Sequence, residues 1–117
     1  MRNTLLALLW ATTAFTLHAH TFIVADTGLQ KAIIFDDAGA KVWEYPKVKC
    51  VDVAVLENGN ILLCHENAKA SWVREVTRAK KTVWEYKVKG EAQSCQRLPN
   101  GNTLIGICTT RELIEVS

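Results

Sequence analysis

The sequence predicts an all-β fold of repeated antiparallel four-stranded sheets, and three observations carry the prediction. The tetrapeptide Val42-Trp43-Glu44-Tyr45 returns as Val83-Trp84-Glu85-Tyr86, 41 positions later. The segment Leu56-Glu57-Asn58-Gly59-Asn60-Ile61-Leu62 returns as Leu98-Pro99-Asn100-Gly101-Asn102-Thr103-Leu104, 42 positions later. Short apolar runs flank each Asn-Gly-Asn, which is a hairpin signal because the turn needs a positive φ that Gly and Asn tolerate. A weaker match sets Arg74-Glu75-Val76 against Ile114-Glu115-Val116, near the same offset. A period of about 42 residues with four strands per unit is that of a β-propeller blade.

The N-terminus reads as a signal peptide over residues 1–19. Arg2 supplies a positive start, Thr4 to Leu17 form an apolar stretch, and Ala19 offers a small residue at the cut. The stretch falls short of the ~20 residues of a membrane span, so no stable span is expected after cleavage. The alternative is a retained anchor helix or an amphipathic first helix.

The repeat region, 20–117, divides by its landmarks. Residues 22–45 supply three strands and lack the first of a unit. Residues 51–86 supply all four: Val51 to Leu56, Ile61 to Cys64, a strand ending Ser71 to Val76, and Thr82 to Tyr86. In the third of these, Trp72, Arg74 and Val76 alternate with Val73 and Glu75, the period of a strand with two distinct faces. Residues 94–116 supply the first three strands and lack the last. The inventory is about two and a half blades, whereas a closed ring needs 4–8. Truncation or divergence from a longer parent, closure by several chains, and an open stack with exposed edges are the three ways to reconcile this; truncation or divergence is the favoured one.

Trp43 and Trp84 stand at the same point of each unit. Large rings there are expected to fill the space between adjacent blades rather than to form a ligand platform.

Composition bounds the rest. With 49% hydrophobic and 22% charged residues the chain is expected to fold. The formal charge of +2 drops by one if Arg2 leaves with the signal, which gives no electrostatic argument for nucleic acid. Residues 69–89 carry a basic excess, read as a solvated rim.

Four cysteines lie beyond the signal. Cys50 and Cys64 bracket the first Asn-Gly-Asn turn, and Cys95 and Cys108 bracket the second. Export to an oxidising compartment makes the pairs Cys50–Cys64 and Cys95–Cys108 the expected disulfides, with buried free thiols as the alternative. Metal binding is disfavoured because no CxxC pair is present. His65, between Cys64 and Glu66, is expected at a solvent-exposed strand end, since neighbours in a strand point to opposite faces and cannot converge. Phosphate-loop, dinucleotide, zinc-protease, nucleophile-elbow and calcium-loop motifs are absent from the sequence.

Asp36-Asp37-Ala38-Gly39-Ala40-Lys41-Val42-Trp43-Glu44-Tyr45 resembles the repeat of pyrroloquinoline-quinone-type propellers, in which an Asp and a Gly-Lys turn precede a Trp docked on the next blade. Gln96-Arg97-Leu98-Pro99-Asn100-Gly101-Asn102-Thr103-Leu104-Ile105 resembles the strand-turn-strand signature of arylsulfotransferase-like and related secreted bacterial propellers. The resemblance runs from residue 22 to 116 and implies blade architecture. A quinoprotein would bring acidic and amide metal ligands plus a catalytic Asp from several blades, and a sulfotransferase would bring histidines near the start of a first strand. The corresponding stretches here, Cys50-Val51-Asp52 and Ala92-Gln93-Ser94, hold no His.

The expected function is therefore an extracytoplasmic binding or interaction module, periplasmic or extracellular, with no identifiable catalytic site and no cofactor. Its partner is left open between self-association and a missing propeller remainder. The alternative is a fragment, or oligomer-forming part, of a quinone-dependent or arylsulfotransferase-like enzyme.

Overall fold

The computed structural model describes residues 20–67 and 70–117; the expected signal peptide at 1–19, and Lys69 of the basic stretch, lie outside the described residues. Within them the chain is all-β, with ten strands in three antiparallel sheets and no helix. The first sheet has β1 (Phe22–Asp26), β2 (Lys31–Phe35) and β3 (Lys41–Pro46), in that order. The second has β4 (Lys49–Val55), β5 (Ile61–Asn67), β6 (Ala70–Val76) and β7 (Thr82–Val88). The third has β8 (Ala92–Arg97), β9 (Thr103–Ile107) and β10 (Glu112–Val116), with β9 in the middle. The first and third sheets each pack on the second, and the three do not close into a ring.

The hairpins are built alike. Leu56 N–H donates to Asn60 O at 2.8 Å and Gly59 N–H to Leu56 O at 2.9 Å, while the Asn58 side-chain oxygen accepts from Asn60 N at 2.9 Å. Leu98, Asn100, Gly101 and Asn102 repeat each of these bonds. Gly59 and Gly101 take φ of 84° and 88°, a region costly for residues with a Cβ, which is why glycine recurs there.

Two seams form the core. Ala32 and Ile34 of the first sheet meet Cys50, Ile61, Leu63 and Val76 of the second. Leu62, Cys64 and Val73, on the other face of the second sheet, meet Ala92, Cys95, Ile105 and Ile107 of the third. The alternation along β5, with Ile61 and Leu63 to one side and Leu62 and Cys64 to the other, follows from the two-residue period of a strand buried on both faces. Trp43 lies half-buried against the first seam and Trp84 half-buried against the second.

Gly90, in the connection from β7 to β8, sits at φ 109°. A Cβ there would overlap Thr109 Oγ1 and stand 3.1 Å from Ile107 Cγ2. That hydroxyl accepts the Glu91 N–H at 3.1 Å, so it is not free to turn aside without loss. Gly90→Ala is expected to lower stability by about 2 kcal/mol, through backbone strain and a displaced bond, read as a lower urea midpoint at constant m.

Candidate functional site

Polar groups concentrate where the hairpin turns meet the next sheet. Glu75 on β6 pairs with Leu62 on one side and Trp84 on the other, which directs its carboxylate toward the third sheet. The Nδ2 groups of Asn58 and Asn60 donate to its Oε1 at 3.2 and 2.7 Å. Arg97, at the end of β8, donates from Nη2 to Oε2 at 2.8 Å and from Nη1 to Gly101 O at 3.2 Å. The Arg97 guanidinium also lies 5.2 Å from the ring centroid of Trp84. Burial pushes the Glu75 carboxyl up, but the Asn60 and Asn58 bonds and the Arg97 charge outweigh it and hold the pKa below its ordinary value.

The third sheet repeats this arrangement on its outer face. Glu115 on β10 pairs with Leu104, as Glu75 pairs with Leu62. Its Oε1 accepts from Asn100 Nδ2 at 3.0 Å and from Asn102 Nδ2 at 2.7 Å, and these bonds hold its pKa below the ordinary carboxylate value. Among the described residues no cation pairs with Glu115. Gly106 pairs with Leu113 as Cys64 pairs with Val73. The set Leu104, Gly106, Leu113 and Glu115 thus occupies the positions of Leu62, Cys64, Val73 and Glu75. The inner set is covered by the third sheet, whereas Leu113 is 68% exposed and borders a shallow hollow of about 290 Å³ with Ser94, Gln96 and Leu104. The opposite end of the stack presents Phe22, Val24 and Phe35 on the outer face of the first sheet, with Phe22 and Phe35 stacked at 5.3 Å.

Side-chain to main-chain bonds bind the seams. Asp52 Oδ2 accepts from Cys95 N at 2.8 Å while its Oδ1 accepts from Val53 N at 2.9 Å, so one carboxylate ties β4 to β8. Ala92 N–H donates to Ser71 Oγ at 3.2 Å. At the other seam the indole of Trp43 donates to Arg78 O at 2.9 Å, and Arg78 Nε to Gly59 O at 3.1 Å. The repeat thus brings Asn58, Gly59, Asn60 and Asn100, Gly101, Asn102 to equivalent corners. Sequence reasoning did not single out Glu75, Glu115 or Arg97 as their partners, although the recurrence of Glu at the first two was visible.

The structure departs from the expected cysteine pairs and from the expected exposure of His65. No two of the four thiols are joined in this structure, and the placement of the cysteines does not suit either expected pair. Cys50 packs in the first seam and Cys64 in the second, so they face opposite sides of their sheet. Cys95 pairs with Ile105, and exposed Cys108 lies three residues further along, about 10 Å by strand rise and beyond the ~7 Å that a disulfide bridges. His65 is not at a solvent-exposed strand end: it is 4% exposed, and burial pushes its pKa down to about 4. Burial likewise pushes the Cys50 thiol up to about 12. The basic stretch is solvated as expected, with Arg78, Lys80, Lys81, Lys87 and Lys89 exposed, and Lys87 and Lys89 share a groove of about 620 Å³ with Glu66 and Glu91. Among the described residues no group of three metal-ligating side chains converges, and no helix is long and apolar enough to cross a membrane.

No family model matches the chain, and no curated protein matches it. A solved structure does: a protein of unknown function from Bacteroides caccae, 30% identical, with a TM-score of 0.58 over 71% of this chain. The matched stretch is 31% of that protein, so this chain spans about a third of the length of the structure it resembles.

Proposed function

We propose that the chain is an extracytoplasmic β-propeller-type interaction module that self-associates. The outer face of the third sheet of one copy seats on the outer face of the first sheet of another. The observation that carries this is the repetition of an inner face on the outside: Leu104, Gly106, Leu113 and Glu115 hold the positions of Leu62, Cys64, Val73 and Glu75, which the next sheet covers. The receiving face offers Phe22, Val24 and Phe35, flanked by Lys31 and Lys41, whose charges oppose Glu115. Lys31 and Lys41 pair with Glu44 at 3.6 and 2.7 Å, and either is within reach of a second carboxylate on a long stem. Such a contact is heterologous, so copies add head to tail and form a ring or a filament according to the rotation between them. The share of the Bacteroides caccae protein that the match covers supports a setting in which sheets of this kind belong to a larger body. Export rests on the pattern from Arg2 to Ala19.

Sedimentation velocity of the signal-free chain at rising concentration is expected to show oligomers. Leu113→Arg, at a position that bears little on the monomer's core, is expected to weaken association at least ~10-fold with an unchanged far-UV spectrum. A wild-type chain that sediments as a monomer throughout overturns the proposal.

A further inference from the structure

We propose that Cys64 and Cys95 are the redox pair of this chain and oxidise to a disulfide that ties the second sheet to the third. Both lie in the same buried cluster, Cys64 fully enclosed and Cys95 8% exposed, although they belong to different sheets and stand far apart in sequence. Both side chains belong to the cluster that fills this seam, and the neighbouring Cys64 thiol and burial hold the Cys95 thiol above its ordinary value. Asp52 fixes the approach. Its carboxylate sits on β4, whose Asp52 pairs with Cys64, and accepts the main-chain N–H of Cys95 at 2.8 Å. Asp52 therefore ties the strand beside Cys64 to the strand that carries Cys95.

The other pairings lack this. Cys50 is on the far face of the second sheet, and Cys108 is exposed beyond the end of β9. Cys64 and Cys95 are thus the one pair of cysteines that shares a buried cluster, as a disulfide's short Cβ separation of about 3.5–4.5 Å requires.

The step is thiol–disulfide exchange. One thiolate attacks an acceptor disulfide, such as oxidised glutathione or an oxidised dithiol oxidoreductase, and displaces one sulfur of it as a thiol. The second thiolate then attacks the mixed disulfide and releases the other sulfur. In sum the pair gives up two protons and two electrons, and the acceptor is reduced to two thiols. A buried thiol with a raised pKa reacts slowly, so oxidation proceeds during folding or while the seam is open, and the finished bond is shielded from reductant by the same burial.

The test uses the full signal-free chain, refolded once in a glutathione redox buffer and once in excess dithiothreitol. Non-reducing peptide mapping with cleavage after Glu57 and after Arg97, which separates Cys50 from Cys64 and Cys95 from Cys108, is expected to link the Cys64 and Cys95 peptides and to leave Cys50 and Cys108 alkylatable after denaturation. Reduction is expected to lower Tm by on the order of 10 °C, given the 31-residue separation of the two positions. The double variant Cys50→Ser with Cys108→Ser keeps the same link and serves as the readout should Cys64→Ser or Cys95→Ser fail to fold. A link between any other pair overturns the proposal, and so do four alkylatable thiols in an oxidatively refolded chain that has its β spectrum. Neither result bears on self-association, which is read by sedimentation.

Discussion

Ile105→Ala is expected to lower stability by about 3–4 kcal/mol, a large share of the ~5–15 kcal/mol typical of a domain. Ile105 is fully buried at the centre of β9, packed into the cluster that holds Leu62, Cys64 and Val73. Truncation removes three carbons from a site walled on both sides by sheets. Sheets held by ladder hydrogen bonds and by the Asp52 and Ser71 contacts cannot close on the gap, so the cavity cost adds to the lost transfer free energy. Urea unfolding of variant and parent gives the difference directly, and a loss below about 1 kcal/mol would mean that the seam is not packed as described.

Glu75→Ala is expected to cost about 2–4 kcal/mol, because it strips partners from two amides and one guanidinium at once. Asn58, Asn60 and Arg97 all donate to this carboxylate. Leaving a largely enclosed cation unpaired is the expensive part. The same carboxylate gives stability a pH dependence. Its folded pKa lies below the unfolded value, so the stabilisation is full above the ordinary glutamate value of 4.5 and is lost as pH falls through the folded value. Glu75→Gln retains one acceptor and cannot titrate; it is expected to lose less than Glu75→Ala at pH 7 and to flatten the acid side of the stability profile. If the stability profiles of the Glu75→Gln variant and the parent run parallel through the acid range, the ionised cluster is not what the acid limb reports.

Much of this architecture can be read without coordinates, for a definite reason. Local alternation at Trp72 to Val76 and glycine at the turns are short-range consequences of backbone geometry, and both repeat. The cysteines could not be read so. Cys50 and Cys64 bracket a hairpin at nearly the same separation as Cys95 and Cys108, yet a register shift between Cys50 and Asp52 changes which side of β4 each residue faces. One extra residue in a strand reverses an inference drawn from spacing. His65 went wrong for a related reason: its burial depends on its packed surroundings and not on its own tripeptide. The carboxylate clusters were half visible, since the recurrence of Glu75 as Glu115 stood out but the arrival of Arg97 from another sheet did not.

The linear order of the sheets carries a consequence for how the molecule comes apart. The first and third sheets have one neighbour each, and the middle sheet has two. In a stack whose cohesion is a sum over nearest-neighbour interfaces, erosion starts at the ends and the central layer outlasts both. Amide protons along Ile61 to Cys64, enclosed between two layers, are therefore expected to be the slowest in hydrogen exchange, with resistance to opening graded from the centre outward.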